Sequence, residues 1–149
     1  MPKKLSAHEK LQAMFHPPGQ PVLYPKVKVR RGQLMTREEA QGYLDNRFAG
    51  QRAVSATRVV GFVAEMNAGQ WVETSQGVAI DIYGRLIDGQ HRLEAFLVSN
   101  LKELPIAISF GEDPRTFLHY DENVAKRAFK DILTIGGFNK NQLSISGAL

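Results

Sequence analysis

The sequence contains no cysteine and no long apolar run. Without a thiol it can form no disulfide framework, no cysteine-ligated metal site and no cysteine nucleophile. A membrane-spanning helix needs about 20 consecutive apolar residues, and every apolar run here is far shorter. No apolar stretch follows the basic N-terminus, as a secretory signal would require. We therefore expect a cytoplasmic protein that has no membrane partner.

Positive charge is concentrated near the N-terminus. Residues 1–35 hold seven lysines and arginines against one acidic residue, whereas the rest holds 12 basic and 14 acidic residues. Such a basic segment favours an anionic partner, with DNA first, and the alternative is a solubilising tail. The candidate nucleic-acid contacts alternate along a short predicted strand and are Lys26, Lys28, Arg30 and Arg31. If no nucleic acid binds there, these residues form a solvated edge of the sheet.

The chain divides by composition into three parts. Residues 1–25 form a basic arm interrupted by prolines, residues 26–140 a folded domain, and residues 141–149 the start of a C-terminal helix or tail. Helices are predicted where an N-cap residue precedes an apolar periodicity, after Ser6, Thr36 and Ser55. Further helices are predicted over residues 113–119 and 128–135.

The middle of the chain carries the most regular pattern. Alternation along residues 78–82 predicts a half-buried strand. Residues 85–87 and 104–110 predict two more strands, with a helix over residues 91–99 between them. Strand, helix and strand with short connections predict a parallel βαβ unit over residues 85–110. The fold class is α/β, in the broad sense that includes α+β, with a small mixed sheet flanked by helices.

The segment Asp88-Gly89-Gln90-His91-Arg92 joins the second of these strands to its helix. The first turn of a helix offers amide donors and the positive end of the helix dipole. Glycine permits a close approach to the backbone, and arginine can donate two hydrogen bonds to one phosphate. These features predict a phosphate site. The alternative is a structural turn in which Asp88 caps the helix and Arg92 lies at the surface.

Residues 83–95, Tyr-Gly-Arg-Leu-Ile-Asp-Gly-Gln-His-Arg-Leu-Glu-Ala, resemble the G-x-x-R signature of the ParB/sulfiredoxin superfamily. They are most similar to the phage- and plasmid-type ParB-like domains with a D-G-Q-H-R motif. Asn46-Arg47 and Gly69-Gln70-Trp71 are similar to the stretch that precedes this motif in those domains. The likeness covers roughly residues 27–140.

The resemblance implies a ParB/sulfiredoxin-like, nucleotide-binding fold. It implies that a nucleoside triphosphate, CTP in the ParB branch, is held together with Mg²⁺. The implied phosphate contacts are Asp88, Gly89, Gln90, His91, Arg92 and Arg127. Arg47 either lines this site or pairs with Asp45. Glu122 and Asn123 are similar to the metal-binding pair of the family's E-N-x-x-R motif, although the spacing to Arg127 is one residue longer here.

Two departures from the family limit the chemistry. Sulfiredoxins need a cysteine where this chain has Gln90, which excludes sulfinic acid repair. ParB proteins carry a glutamate there, and glutamine cannot act as a carboxylate base. The leading hypothesis is a ParB-like nucleotide- or phosphate-binding domain in a DNA-linked phage or plasmid process, in the host cytoplasm if a phage encodes it. The alternatives are an enzyme on the same fold (a nuclease, NTPase or small-molecule kinase) and a non-catalytic module that binds a protein or DNA.

Overall fold

The computed structural model describes residues 4–49, 51, 53–74 and 76–117. The chain divides into two compact units, one spanning Pro21–Pro114 and the other combining Met1–Gln20 with Arg115–Leu149. The helix and tail predicted over residues 128–135 and 141–149 lie outside the described residues, as do three predicted site residues: Glu122, Asn123 and Arg127.

Four α-helices are described, and the sequence located the starts of the first three. They are α1 (Ala7–Phe15), α2 (Arg37–Asp45), α3 (Ala56–Asn67) and α4 (Gln90–Val98). Ser6 and Thr36 form complete capping boxes with the glutamates three residues later. The Ser55 hydroxyl accepts a hydrogen bond from the third residue of α3. Of the helix predicted over residues 113–119, the described part contains a 3-10 turn at Pro114–Thr116, followed by the helical residue Phe117.

Six short strands form two sheets within the described residues. They are β1 (Lys28–Arg30), β2 (Leu34–Thr36), β3 (Val78–Asp81), β4 (Leu86–Asp88), β5 (Glu103–Pro105) and β6 (Ile108–Glu112). A four-stranded mixed sheet has the order β1-β6-β3-β4, and β2 pairs with β5 in a separate antiparallel ribbon. The mixed sheet with its helices agrees with the predicted α+β class, whereas β2 was not predicted.

The predicted βαβ unit over residues 85–110 is wrong. Strand β4 pairs antiparallel with β3, and β3 pairs parallel with β6, so β4 and β6 run in opposite directions. The turn at residues 82–85 is too short for anything but a reversal of the chain, which makes β3 and β4 a hairpin. The parallel pair is therefore β3 and β6, and the crossover between them contains β4, α4 and β5.

The single strand predicted over residues 104–110 is divided between the two sheets. Leu104 pairs with Met35 of β2, whereas Ile108 lies between β1 and β3 in the larger sheet. Residues 106–107 make the change of sheet and are both buried. A change of partner inside a continuous apolar run leaves no mark in the alternation of side chains, so the sequence reads as one strand.

Strand β3 is buried on both faces, which corrects the half-buried prediction. Ala79 and Asp81, expected to face solvent, are only 4% and 0% exposed. The Asp81 carboxylate accepts hydrogen bonds from the backbone amides of Tyr83 and Arg85 and from the Arg85 side chain, at 3.0, 2.8 and 2.7 Å. A carboxylate that accepts hydrogen bonds from its own hairpin can be buried, even at a position where a charged residue suggests exposure to solvent.

The main core lies within the unit Pro21–Pro114. It joins buried side chains from α2, α3 and α4 with those of both sheets. Trp71 and Phe62 are partly buried and pack against this core, with their ring centroids 5.8 Å apart. None of the helices in the described part of the chain has the length and apolar composition of a membrane span.

Candidate functional site

The turn between β4 and α4 requires a glycine. Gly89 is the N-cap of α4 and has a φ of +98°, in the left-handed region. A Cβ atom at this position would lie 2.9 Å from Val78 Cγ2 and 3.0 Å from the Gly77 carbonyl oxygen. The structural alternative with Asp88 as the cap is wrong, because Asp88 is the last residue of β4 and lies opposite Ala79. The tight packing of Gly89 on β3 fixes the position at which α4 begins.

The first turn of α4 has no acidic side chain to match its dipole. The N-cap glycine provides no side-chain acceptor, and the first turn contains Gln90, His91 and Arg92. Helices are stabilised by negative groups at this end, because the peptide dipoles place partial positive charge there. Gln90 is 6% exposed, so this polar side chain is held inside the protein rather than in solvent.

Arg47 is brought to the motif by an extension of the sheet. The Leu86 amide donates to the Asn46 carbonyl and the Phe48 amide donates to the Leu86 carbonyl, both at 2.9 Å, so Arg47 lies parallel to the edge of β4. Its Nη1 atom is 3.1 Å from Gln90 Oε1 and 3.5 Å from Glu94 Oε1. Arg47 therefore contacts the start of α4, and its role in lining a phosphate site stays a prediction.

His91 connects the starts of two helices. Its Nε2 atom accepts a hydrogen bond of 2.9 Å from the Ser55 amide. At the other end of the pair, the Asn100 amide donates to the Asn67 side chain at 2.9 Å. Helices α3 and α4 therefore run in the same direction, and their positive ends lie side by side.

Arg92 lies against the body of the protein. Its Nη1 atom is 3.3 Å from the Gly77 carbonyl oxygen, and its guanidinium carbon is 5.5 Å from the centre of the Phe62 ring. Because Gly77 also packs on Gly89, Arg92 ties the chain before β3 to the start of α4. The contact with phosphate that the sequence predicts for Arg92 stays a prediction.

Arg85 supports the site but was not singled out from the sequence. Its Nε atom is 2.7 Å from Asp81 Oδ2, and its guanidinium carbon lies 4.9 Å from the Phe48 ring and 5.1 Å from the Tyr83 ring. Phe48 directly follows Arg47, so this packing fixes the segment that carries Arg47. An aspartate and an arginine flanking a Tyr-Gly turn are the sequence signal for such a hairpin ion pair.

The basic residues near β1 lie at the opposite edge of the sheet from β4. Lys26, Lys28 and Arg31 are exposed. Arg30 is partly buried, and its Nη2 atom pairs with Glu39 Oε2 at 3.0 Å. The charge of Arg30 is thus matched inside the protein, while the other three charges face solvent.

The described residues contain no cluster of histidine, aspartate or glutamate side chains that could hold a metal ion. The predicted metal ligands, Glu122 and Asn123, are outside the described part of the chain. The structure gathers Arg47, Gln90 and His91 around the start of α4, with Gly89 shaping the turn.

A scan of protein-family models and searches of curated proteins and of solved structures found no match to this chain.

Proposed function

We propose that this protein binds the phosphate groups of a nucleotide at the start of α4. The observation that carries the proposal is the position of the Arg47 guanidinium, 3.1 Å from the side chain of the first residue of α4. A cation at the positive end of a helix is unfavourable by about 0.3–1 kcal/mol unless an anion compensates it. Glu94 compensates in part through a half-exposed ion pair of 3.5 Å, and a bound phosphate would complete the compensation.

The neighbouring start of α3 supports the same ligand. Two parallel helices whose first turns are joined through His91 and Ser55 direct two positive ends toward one region. Phosphate is the anion that proteins most often hold at such ends. Gly89 allows a ligand to approach the backbone, because no side chain projects from the turn.

The resemblance of residues 83–95 to ParB-like domains narrows the ligand to a nucleoside triphosphate, with CTP first, bound together with Mg²⁺. Mg²⁺ prefers a few carboxylates with water and substrate phosphates rather than a cage made only of protein. The metal is therefore expected to bind only when nucleotide is present. The residues proposed to hold it are Glu122 and Asn123.

Calorimetric titration with pyrophosphate and the four ribonucleoside triphosphates, with and without Mg²⁺, tests the proposal. A bidentate contact between arginine and phosphate contributes about 1.5–3 kcal/mol, or roughly one to two decades of affinity. Arg47→Ala is expected to lose that amount, and Arg31→Ala, which removes an exposed arginine near β1, is the matched control. Absence of binding by the wild type, or equal losses in the two variants, contradicts the proposal. Chromatography of the same mixtures for hydrolysis products separates an NTPase from a binding domain.

DNA is the second candidate ligand, and the observation that favours it is the set of exposed cations near β1: Lys26, Lys28 and Arg31. Binding to duplex DNA should weaken by roughly 0.9 log units per log unit of salt for each phosphate neutralised. Replacing the three residues by glutamine should flatten this dependence, whereas Lys102→Gln should leave it unchanged. A salt dependence near zero for the wild type would mean that the basic segment is a solvated surface.

A further inference from the structure

Helix α3 presents an apolar face to solvent. Met66 is the one fully buried residue among its 12. Val60 is 66% exposed, and Gly61 and Ala64 are exposed beside it. We call these three residues the outer face of α3. A single exposed valine is common on protein surfaces, so a partner is indicated only by the residues around it.

Gly61 lies at a position of α3 that no described residue covers. Its φ is not positive, and a Cβ atom added there would meet none of the described residues within 4 Å. Glycine in the interior of a helix costs about 0.5–1 kcal/mol relative to alanine. Glycine permits close approach of another backbone, but Gly42 in α2 is equally open, so what distinguishes Gly61 is the pair of opposite charges beside it.

Two opposite charges flank the outer face on the same side. Arg58 and Glu65 are seven residues apart, so at 100° per residue they lie one above the other. Gly61 lies between them along the helix, and both charged residues are exposed. Within the described residues neither forms an ion pair. If a second α3 packs antiparallel with its two-fold axis beside Gly61, each Arg58 meets the Glu65 of the other copy.

We propose that a second copy of this chain packs on the outer face of α3, with the two α3 helices antiparallel and Gly61 at their crossing point. A two-fold interface uses the same surface on both copies, so its charges must be self-complementary. The Arg58 and Glu65 pair meets this condition in the antiparallel arrangement. A parallel arrangement places the charged side of one helix against the Val60 side of the other, and leaves the charges unmatched.

Sedimentation velocity from micromolar to millimolar protein tests this proposal, with light scattering as a second measure of mass. The wild type should dimerise with rising concentration. Arg58→Glu and Glu65→Arg should each weaken the dimer by about tenfold or more, because two attractive pairs become repulsive. An equimolar mixture of the two variants should form a heterodimer, and the double variant should recover the wild-type dimer.

A glycine pair provides the steric control. Gly61→Leu should abolish the dimer, whereas Gly42→Leu, at an equally open helical position in α2, should leave it intact. Circular dichroism confirms that both variants fold. A wild type that stays monomeric at millimolar concentration overturns the proposal, as does a dimer that responds to neither the charge reversals nor Gly61→Leu.

Discussion

The contacts of Arg92 predict that its loss destabilises the fold more than it weakens ligand binding. The guanidinium donates to the Gly77 carbonyl at 3.3 Å and lies 5.5 Å from the Phe62 ring centre. A hydrogen bond from a charged donor contributes about 1.5–3 kcal/mol, and the long distance favours the lower end of that range. A cation–π contact that is partly exposed adds about 0.5–1 kcal/mol. Arg92→Ala should therefore lower the free energy of unfolding by about 2 kcal/mol.

The assay compares stability and affinity on the same variants. Urea unfolding gives the free energy of unfolding, and titration under strongly native conditions gives the affinity for pyrophosphate per folded molecule. Arg47→Ala should show the opposite pattern, because the Arg47 side chain is 41% exposed and its contacts described above are with the side chains of Gln90 and Glu94. Arg92→Lys should recover only part of the stability, since an ammonium cannot donate to the carbonyl and stack on the ring in the same geometry.

A different result would refute this reasoning. If Arg92→Ala keeps the wild-type stability and loses one to two decades of affinity, Arg92 is a phosphate ligand and its contact with Gly77 is replaced when the ligand binds. That outcome would restore the role that the ParB-like resemblance implies for this residue. Equal stability and equal affinity in Arg92→Ala and wild type would remove Arg92 from both roles.

Three further predictions concern stability. Arg37 donates to four carbonyls at the end of α4 and its exit, so Arg37→Gln should cost about 2–3 kcal/mol in urea unfolding, whereas Arg31→Gln should stay within about 0.5 kcal/mol. Gly89→Ala should cost about 2 kcal/mol or more, because a left-handed alanine is strained and its Cβ overlaps β3, while Gly42→Ala should gain about 0.5–1 kcal/mol. Burial raises the pKa of Tyr43 above its ordinary value of 10.0, more than the nearby Arg30 lowers it. The unfolded chain then ionises first, so stability should fall as the pH rises past about 10, and Tyr43→Phe should remove this part of the fall.

Local signals in the sequence were sufficient for most elements of the fold. Capping depends on residues three apart, so Ser6, Thr36 and Ser55 predicted where three helices begin. The strand and helix around Gly89 followed from a change of period. The direction of each strand and the strand with which it pairs were not predictable in this way. The pairing of β3 with β6, for example, joins residues about 30 apart in the sequence through hydrogen bonds of the backbone.

The same distinction between local signals and long-range pairing applies to the candidate site. The segment from Asp88 to Arg92 could be found because it is continuous in sequence. Arg47 was left open between two partners, because its place depends on an added parallel pairing with Leu86 that carries no side-chain pattern. Arg85 and Asp81 were missed as a pair because the alternation of β3 suggested that Asp81 faces solvent. Its burial becomes favourable only through the hydrogen bonds of the hairpin.

The sheet order makes the two proposed ligand surfaces separable. Strand β4 and the Arg47 segment lie at one edge of the four-stranded sheet, and β1 with its exposed lysines lies at the other. Mutations at sites that share no partner usually have additive effects. Arg47→Ala should therefore leave the salt dependence of DNA binding unchanged, and glutamine at Lys26, Lys28 and Arg31 should leave pyrophosphate affinity unchanged. If either change alters both ligands, nucleotide and DNA compete for one surface, and the basic residues near β1 belong to the site at α4.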